Sequence, residues 1–415
     1  MNMNNQYEKH NDEFYMRRAI DLAKKGCGWV NPNPMVGAVI VKNGHIIGEG
    51  YHEKYGQLHA ERNAIKNCMD GECMAHSEGE AKEVLQGATI YVTLEPCCHH
   101  GKQPPCTEAI IESGIQRVVV GSGDPNPLVA GKGIEILRSH GIEVVTDFMK
   151  AECDEINPVF FHYMTTGLPL VIMKYAMTMD GKIASYTGKS QWITSEEARK
   201  HVHEQRNKYA AIMTGIGTVL ADDPMLTCRI ESGKNPIRII CDTNLQIPLD
   251  SNLVKTAKDV PTVIATAVEG QAFGDMQSNQ EPQDEHQENV MRKKVLDLKA
   301  SGCELINPGT VDGHIDLKRL VHMLGTNEAN LSCGKIDSIY LEGGQTLNWS
   351  ALQSGIVNRV NVYIAPKIFG GVTAFSPVGG QGVEAPNQAF HLKNIKMIQL
   401  GCDFLMEGDV CLLEL

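Results

Sequence analysis

The apolar positions change period repeatedly along the first third of the chain. From Asp12 to Lys25 they recur at helical spacing, with Phe14, Ala19, Ile20 and Ala23 available for one face, which predicts an opening amphipathic helix. "MVGAVIVKNGHIIGEGYH" then reads as a hairpin, two β-rich runs around the turn "KNGH". "AERNAIKNC" returns to helical spacing, "ATIYVTL" predicts a strand, and "CTEAIIESG" predicts a helix stopped by Gly114. "RVVVG", "GKGIEILRSHG" and "IEVV" continue as strand, helix closed by Gly141, and strand. Strands alternating with helices imply a helix-covered sheet, an α/β or three-layer domain over residues 1–150.

A second run over residues 151–415 repeats the habit from "LPLVIMKYAMTMDG" onward. "SEEARKHVHEQRN" predicts a helix with Ser195 as N-cap; Ala198 stands three residues later, so the reciprocal capping box is absent. "AAIMTG", "IRIICD", "TVIAT", "CELIN", "SIYLEGG" and "RVNVYIAPKIFGG" are strand candidates. Between Glu269 and Asn289 the composition becomes polar, acidic and aperiodic, which predicts a surface insertion because strand-like segments continue on both sides. Asp70 to Glu83 reads as a smaller insertion of the same sort. No repeat of solenoid length is visible.

Bulk properties narrow the class. The 415 residues suffice for two or three domains with real cores. A net charge of −12 argues against a nucleic-acid protein held by a broad basic face. No apolar run approaches membrane-spanning length, and the N-terminal stretch lacks the apolar core of a signal peptide, so the expected location is the cytoplasm. Thirteen cysteines, an odd number, in a compartment that keeps thiols reduced speak against disulfides. Cys27, Cys68, Cys73, Cys153, Cys228, Cys241, Cys303, Cys333, Cys402 and Cys411 stand alone and read as small buried apolar residues.

The remaining cysteines crowd one loop, "TLEPCCHHGKQPPC" from Thr93 to Cys106, downstream of "HAERNAI" at His59. His59, Cys97 and Cys106 match the ligand set of zinc deaminases, in which a nearby glutamate that is not a ligand handles protons; here that is Glu61. The residue types suit the chemistry. Three protein ligands leave the fourth tetrahedral position of zinc for water, whose pKa the ion lowers toward neutrality. A closed structural site would give Glu61 no task. Cys98 adjoins Cys97, and neighbouring side chains rarely point at one ion. His99 fits a place near substrate, and His100 a plain loop residue. The common deaminase pattern has two residues between the cysteines; here eight intervene, and they include Lys102.

Taken together, "NPNPMVGAVIV", "HAE", "TLEPCCHHGKQPPC" and "GDPNPLVAGKGIEIL" resemble the bifunctional deaminase/reductase family of riboflavin biosynthesis, from about Tyr15 to the C-terminus. The resemblance implies a cytidine-deaminase-like three-layer α/β/α domain followed by a dihydrofolate-reductase-like α/β domain. It also implies that Asn33, His52 and Lys102 contact the pyrimidine and its ribose phosphate, with His99 nearby. Lys102 suits a phosphate in an acidic protein; alone, Asn33 and His52 read as turn or strand-end residues. Gln103 stands where the family usually has threonine or a similar residue.

"KYAMTMDGKIA", "SQWITSEEAR" and "TGIGTVLADDPMLTCR" resemble the reductase half of the same family. By itself "EGGQTLNWS" is a Gly-rich strand-to-helix turn, equally an anion site or an ordinary connection. The full dinucleotide fingerprint is absent, which fits a reductase-like rather than a Rossmann domain. The resemblance implies NADPH held by Ala176, Trp192, Thr218, Asp222, Thr243 and the run Gly344, Gln345, Thr346, Leu347, Asn348, Trp349 and Ser350. It implies substrate contacts from Lys174, Ser190, Arg206, Leu226, Arg229 and Glu342; two arginine forks suit a phosphate. The proton donor stays open between Asp222 and Glu342. The implied activity is deamination of 2,5-diamino-6-(5-phosphoribosylamino)pyrimidin-4-one followed by NADPH reduction of the ribosyl chain, in a homo-oligomer with neither nucleic-acid nor membrane partners. Two rivals stand beside it: a zinc nucleoside or tRNA deaminase with a noncatalytic second half, and a zinc-stabilised binding module.

Overall fold

The computed structural model describes residues 11–70, 83–268 and 285–411. The chain forms two compact units that divide between Thr166 and Gly167. The expected insertion at 70–83 lies outside the described residues save its two ends, as does most of the one at 269–289, whose last part opens a helix at Glu285. Among the described residues no helix is long and apolar enough to cross a membrane.

In the first unit, helix α1 (Asp12–Lys24) precedes strands β1 (Gly37–Lys42) and β2 (His45–Tyr51). Helix α2 (Ala60–Asp70), strand β3 (Thr89–Leu94), helix α3 (Cys106–Glu112) and strand β4 (Arg117–Ser122) follow. Helix α4 (Lys132–Ser139), strand β5 (Glu143–Val145) and helices α5 (Lys150–Ile156) and α6 (Pro158–Thr166) complete it. The sheet order is β2-β1-β3-β4-β5, with β3, β4 and β5 mutually parallel and β1 antiparallel to both neighbours. Alternation sends Ala38, Ile40, Ile90, Val92, Val118 and Val120 toward α2, α3 and α4. Val39, Val41, Tyr91 and Val119 face α1 and α5. The three layers follow from that alternation.

The buried stripe of α1 is Met16, Ala19, Ile20 and Ala23, flanked by Tyr15 and Leu22; Phe14, expected on it, is exposed. Residues 16, 19, 20 and 23 keep i, i+3, i+4, i+7 spacing, and position 14 falls off that face. Asn11 caps the helix by accepting from Phe14 N. Helices α5 and α6 extend the unit past Lys150 because Asn157, between them, bonds both the N–H and the C=O of Met35 at 2.8 Å. Gly50 lets α2 lie close on β2: a Cβ there would sit 2.3 Å from Ala64 N.

The second unit is built on a nine-stranded sheet. Its strands are β6 (Leu170–Thr178), β7 (Ala211–Gly215), β8 (Ile237–Cys241), β9 (Thr262–Ala265), β10 (Cys303–Ile306), β13 (Ser338–Leu341), β14 (Arg359–Ala365), β15 (Leu392–Leu400) and β16 (Asp403–Val410). A separate small hairpin pairs β11 (Thr310–Val311) with β12 (His314–Ile315). The order is β10-β9-β8-β7-β13-β6-β14-β16-β15, parallel as far as β14 and antiparallel at the last two strands. Helices α7 (Glu196–Lys208), α8 (Ile216–Asp222), α9 (Glu285–Ala300), α10 (Leu317–Thr326) and α11 (Gln345–Gln353) accompany it. Ser195 caps α7 by accepting from Ala198 N, as expected. The chain runs outward from β7 to β10 and returns with β13 between β7 and β6. Such a reversal leaves a crevice at the carboxyl ends of the strands, where open α/β sheets bind ligands.

Of the lone cysteines, Cys68, Cys153, Cys241 and Cys303 are buried; Cys402 is exposed, contrary to expectation, and Cys73 lies outside the described residues. Cys402 lies in the tight turn between β15 and β16, outside both strands.

Candidate active site

The first unit brings the ends of β3, α2 and α3 together. His59 precedes the first turn of α2, Cys97 follows β3, and Cys106 opens α3. His59 Nδ1 lies 3.5 Å from Cys97 Sγ and 3.4 Å from Cys106 Sγ. Tetrahedral zinc with ordinary Zn–S and Zn–N bonds would hold sulfur and nitrogen about 3.6 Å apart, so the three groups fit that ion. They are the only such cluster among the described residues. Cys106 N, at the start of α3, donates to Cys97 Sγ at 3.4 Å. Hydrogen bonding to Cys106, then to His59, draws the Cys97 thiol down, while hydrogen bonding to Cys97 and burial push Cys106 up. Cys98 turns aside and donates to Leu128 O at 3.7 Å.

Glu61, in the first turn of α2, is 3 % exposed. Burial, then the neighbouring Cys97 charge, raises its pKa. A carboxyl so placed exchanges protons near neutrality more readily than a solvated one. His52 is also buried, and burial lowers its pKa, so its imidazole is neutral. One ring nitrogen pairs with Leu58 O at 3.0 Å and the other with Asn33 Nδ2 at 3.2 Å. Both ring nitrogens are thus engaged, and Asn33 keeps its carbonyl oxygen and one N–H for a ligand.

These groups line a cavity of about 270 Å³ with His99, Lys102, Asp124, Asn126 and Phe160. Lys102 stands at the rim, its ammonium 4.1 Å from the Tyr55 ring centroid. Gln103 donates to Gly56 O at 3.0 Å and ties the cysteine loop to the opposite wall. His99 is exposed at the mouth; His100 faces Glu108. Asp124 and Asn126 were not foreseen as site residues. "GDPNP" is a turn by composition, and only folding brings it over the metal ligands. Burial, and then the charges of Glu95 and Cys97, push the Asp124 pKa up to about 6.

In the second unit the expected cofactor residues gather at the carboxyl ends of adjacent strands. Thr218 lies in the first turn of α8 after β7, Thr243 follows β8, and Gly344 to Ser350 begin α11 after β13. Gly344 is the N-cap of α11 without a side-chain cap, which leaves backbone N–H groups for an anion. Asn348 is fully buried and donates to Pro377 O at 2.8 Å, so it braces the turn. Trp192 is 60 % exposed, with the Arg199 guanidinium 4.7 Å from its ring centroid. Asp222 ends α8, exposed, about two helical turns from Gly215.

Glu342, just past β13, takes two of the three cations expected around substrate. Arg206 Nε and Nη2 donate to it at 2.7 and 3.1 Å, and Lys174 Nζ at 3.1 Å. Burial would raise the Glu342 pKa, but Arg206 and Lys174 outweigh it and hold the carboxylate far below its usual range. Arg206 also donates to Thr227 O, so three of its five N–H groups serve the protein. Leu226 is 4 % exposed with its side chain in the core, and only its backbone, at φ 50°, is free to meet a ligand. Arg229 is exposed on the same loop, and Ser190 is half-buried ahead of α7. His203, also unforeseen, is driven down to about 4 by burial and by Arg206 and Arg229.

Comparison with known proteins agrees with both halves. Residues 9–122 match the cytidine and deoxycytidylate deaminase zinc-binding region, and residues 169–406 match the RibD C-terminal domain. The riboflavin biosynthesis protein RibD of Actinobacillus pleuropneumoniae is 49 % identical over 403 residues, 97 % of this chain and 96 % of that protein. The chain belongs to the RibD family. RibD of Escherichia coli strain K12 is 39 % identical over 360 residues, 86 % of this chain and 89 % of that protein. Among solved structures, Acinetobacter baumannii RibD, form 1, superposes with a TM-score of 0.77 at 32 % identity, covering 97 % of this chain and 99 % of that one. The Thermotoga maritima diaminohydroxyphosphoribosylaminopyrimidine deaminase/5-amino-6-(5-phosphoribosylamino)uracil reductase gives 0.75 at 36 % identity, covering 96 % and 98 %. As a RibD protein the chain is a bifunctional enzyme of riboflavin biosynthesis, with a cytidine-deaminase-like zinc domain and a dihydrofolate-reductase-like domain that uses NADPH.

Proposed function

We propose that the first unit hydrolyses the 2-amino group of 2,5-diamino-6-(5-phosphoribosylamino)pyrimidin-4-one, and that the second reduces the ribosyl chain of the product to give 5-amino-6-(5-phosphoribitylamino)uracil. The observation that carries the reading is the convergence of His59, Cys97 and Cys106 beside the buried, non-ligating Glu61. When bound, zinc supplies an acidified water and NADPH supplies a hydride. Everything else falls to side chains of this protein. His59, Cys97 and Cys106 hold the metal, and Glu61 takes a proton from the water and returns it to the departing amine. Asn33, fixed by His52, orients the pyrimidine, while Lys102 and His99 at the mouth meet the ribose phosphate.

In the second unit, Ala176, Trp192, Thr218, Asp222, Thr243 and Gly344 to Ser350 bind the cofactor. Lys174 and Glu342 flank the reacting end of the substrate; Ser190, the Leu226 backbone and Arg229 hold the remainder, with Arg206 setting Glu342. Each reduction consumes one proton besides the hydride, and the Lys174–Glu342 pair is better placed to manage it than exposed Asp222. We further infer a cytoplasmic homo-oligomer with no nucleic-acid or membrane partner. Strand β15 is exposed along nearly its whole length, including Ile395, Met397 and Ile398, which favours cover by a second copy.

The decisive experiment supplies the diaminopyrimidine phosphate to purified protein and follows ammonia release and NADPH absorbance separately. Glu61→Gln is expected to keep zinc, lower deamination about 10²–10⁴-fold, and leave reduction of the pre-deaminated compound unchanged. Undiminished ammonia release would overturn the role of Glu61; simultaneous loss of both activities would overturn the assignment of one activity to each unit.

A further inference from the structure

The segment Gly123 to Gly131, between β4 and α4, carries Asp124 and Asn126 into the deaminase cavity, yet it is a loop, and loops drift unless something holds them. What holds this one is Glu95. The side chain is 4 % exposed, two residues ahead of Cys97, and its carboxylate is surrounded by backbone amides. Gly131 N and Asp124 N donate to one oxygen at 3.0 and 3.4 Å; Gly133 N and Ile134 N donate to the other at 3.1 and 3.4 Å. Hydrogen bonds to a charged acceptor are the stronger kind. Each end of the loop is thereby tied to one side chain.

Gly133 shows how tight the join is. A Cβ there would lie 2.3 Å from Pro96 O and 3.2 Å from Glu95 Oε1, so the start of α4 rests directly on the Glu95-Pro96-Cys97 backbone. Within the loop, Asp124 accepts from Asn126 N at 2.8 Å and Asn126 from Leu128 N at 3.1 Å. The two side chains facing the cavity are therefore set by the same turn that Glu95 anchors.

We propose that Glu95 is a positioning residue of the deaminase: it fixes the Asp124–Asn126 wall at a set distance from the metal ligands, so that one backbone segment places both the ion and the substrate. The proposal rests on the reading of His59, Cys97 and Cys106 as the zinc set.

Glu95→Gln tests it. A glutamine of the same shape offers one acceptor oxygen and turns an NH₂ toward two of the four amides. Measured on full-length protein with the diaminopyrimidine phosphate, the variant is expected to bind zinc like the parent and to reduce the pre-deaminated compound at the parental rate. Its deaminase KM should rise roughly tenfold, the loss of about one good hydrogen bond, with a much smaller change in kcat. Gly133→Ala, which pushes the loop from its other end, should raise KM in the same sense. A parental KM in Glu95→Gln overturns the proposal. Loss of zinc together with deamination also overturns it, since Glu95 would then merely hold the fold. Cys106→Ala separates the underlying reading: retention of zinc and deamination there would sink the metal assignment itself, whatever Glu95 does.

Discussion

The two sites of this chain solve opposite problems. In the first unit, a histidine nitrogen sits 3.4–3.5 Å from each of two sulfurs, an arrangement that suits ligands converging on one metal cation. In the second, Lys174, Arg206 and Glu342 are drawn from positions up to 168 residues apart and pair within the protein, two cations on one carboxylate. The first site is completed by its metal; the second is complete as a protein structure and then engages substrate. That difference predicts how each responds to damage.

The sharpest way to break the comparison is to remove the metal. Cys106→Ala, or exhaustive chelation of the parent, is expected to abolish ammonia release while NADPH oxidation with the pre-deaminated substrate continues at the parental rate. Metal analysis of the same samples ties the loss to zinc. A reductase that fails with the metal would show that the second site is not self-sufficient.

The reciprocal change is Glu342→Gln. Its side chain is 12 % exposed and its cations 13–14 %, so the substitution leaves two nearly buried positive charges facing an amide. Removing one member of such a cluster costs about 3–5 kcal/mol. The reductase activity should vanish and the urea midpoint of the second unit, followed by its two tryptophans, Trp192 and Trp349, should fall. Deamination measured at low denaturant should persist. A midpoint within experimental error of the parent would mean that the cluster contributes nothing net.

The same contrast explains what could be read before folding. Histidine, glutamate and clustered cysteines at fixed spacing are rare in combination, so "HAE" and "EPC" announce zinc chemistry on their own residues. The alternation in "GAVIVK" and "TIYVTL" likewise reports both faces of a covered sheet. Lysine, arginine and glutamate are ordinary surface residues, and nothing local marks the 168-residue separation that β6 and β13 close by pairing. Only resemblance pointed to Lys174 and Glu342. Asp124 and Asn126 were hidden in a turn whose composition explains itself without a function. Strand β15 escaped because "LKNIKMIQL" places lysines on an exposed edge strand and has no buried face to impose alternation. Phe14 misled because apolar character was counted where angular position decides.

The smallest effect involves none of the site residues and sharpens the contrast with Glu342. Asp12 accepts from Arg117 at 2.7 and 3.2 Å and from Tyr91 Oη at 2.7 Å, a partly exposed version of the same motif. The Arg117 hydrogen bonds lower the Asp12 pKa; burial opposes them, and Tyr91 adds to the lowering. A carboxylate depressed in the fold contributes stability above its unfolded pKa, near 3.9, and loses it as pH falls through the lower folded value. With the side chain 35 % exposed, solvent screening reduces the contribution to about 0.5–1 kcal/mol. Asp12→Asn should therefore lower the urea midpoint of the first unit slightly at pH 7, with the gap from the parent closing as both are taken below about pH 3. A gap that stays constant across that range would assign the loss to the helix start, where Asp12 also faces the positive end of α1, and remove the ion pair from the account.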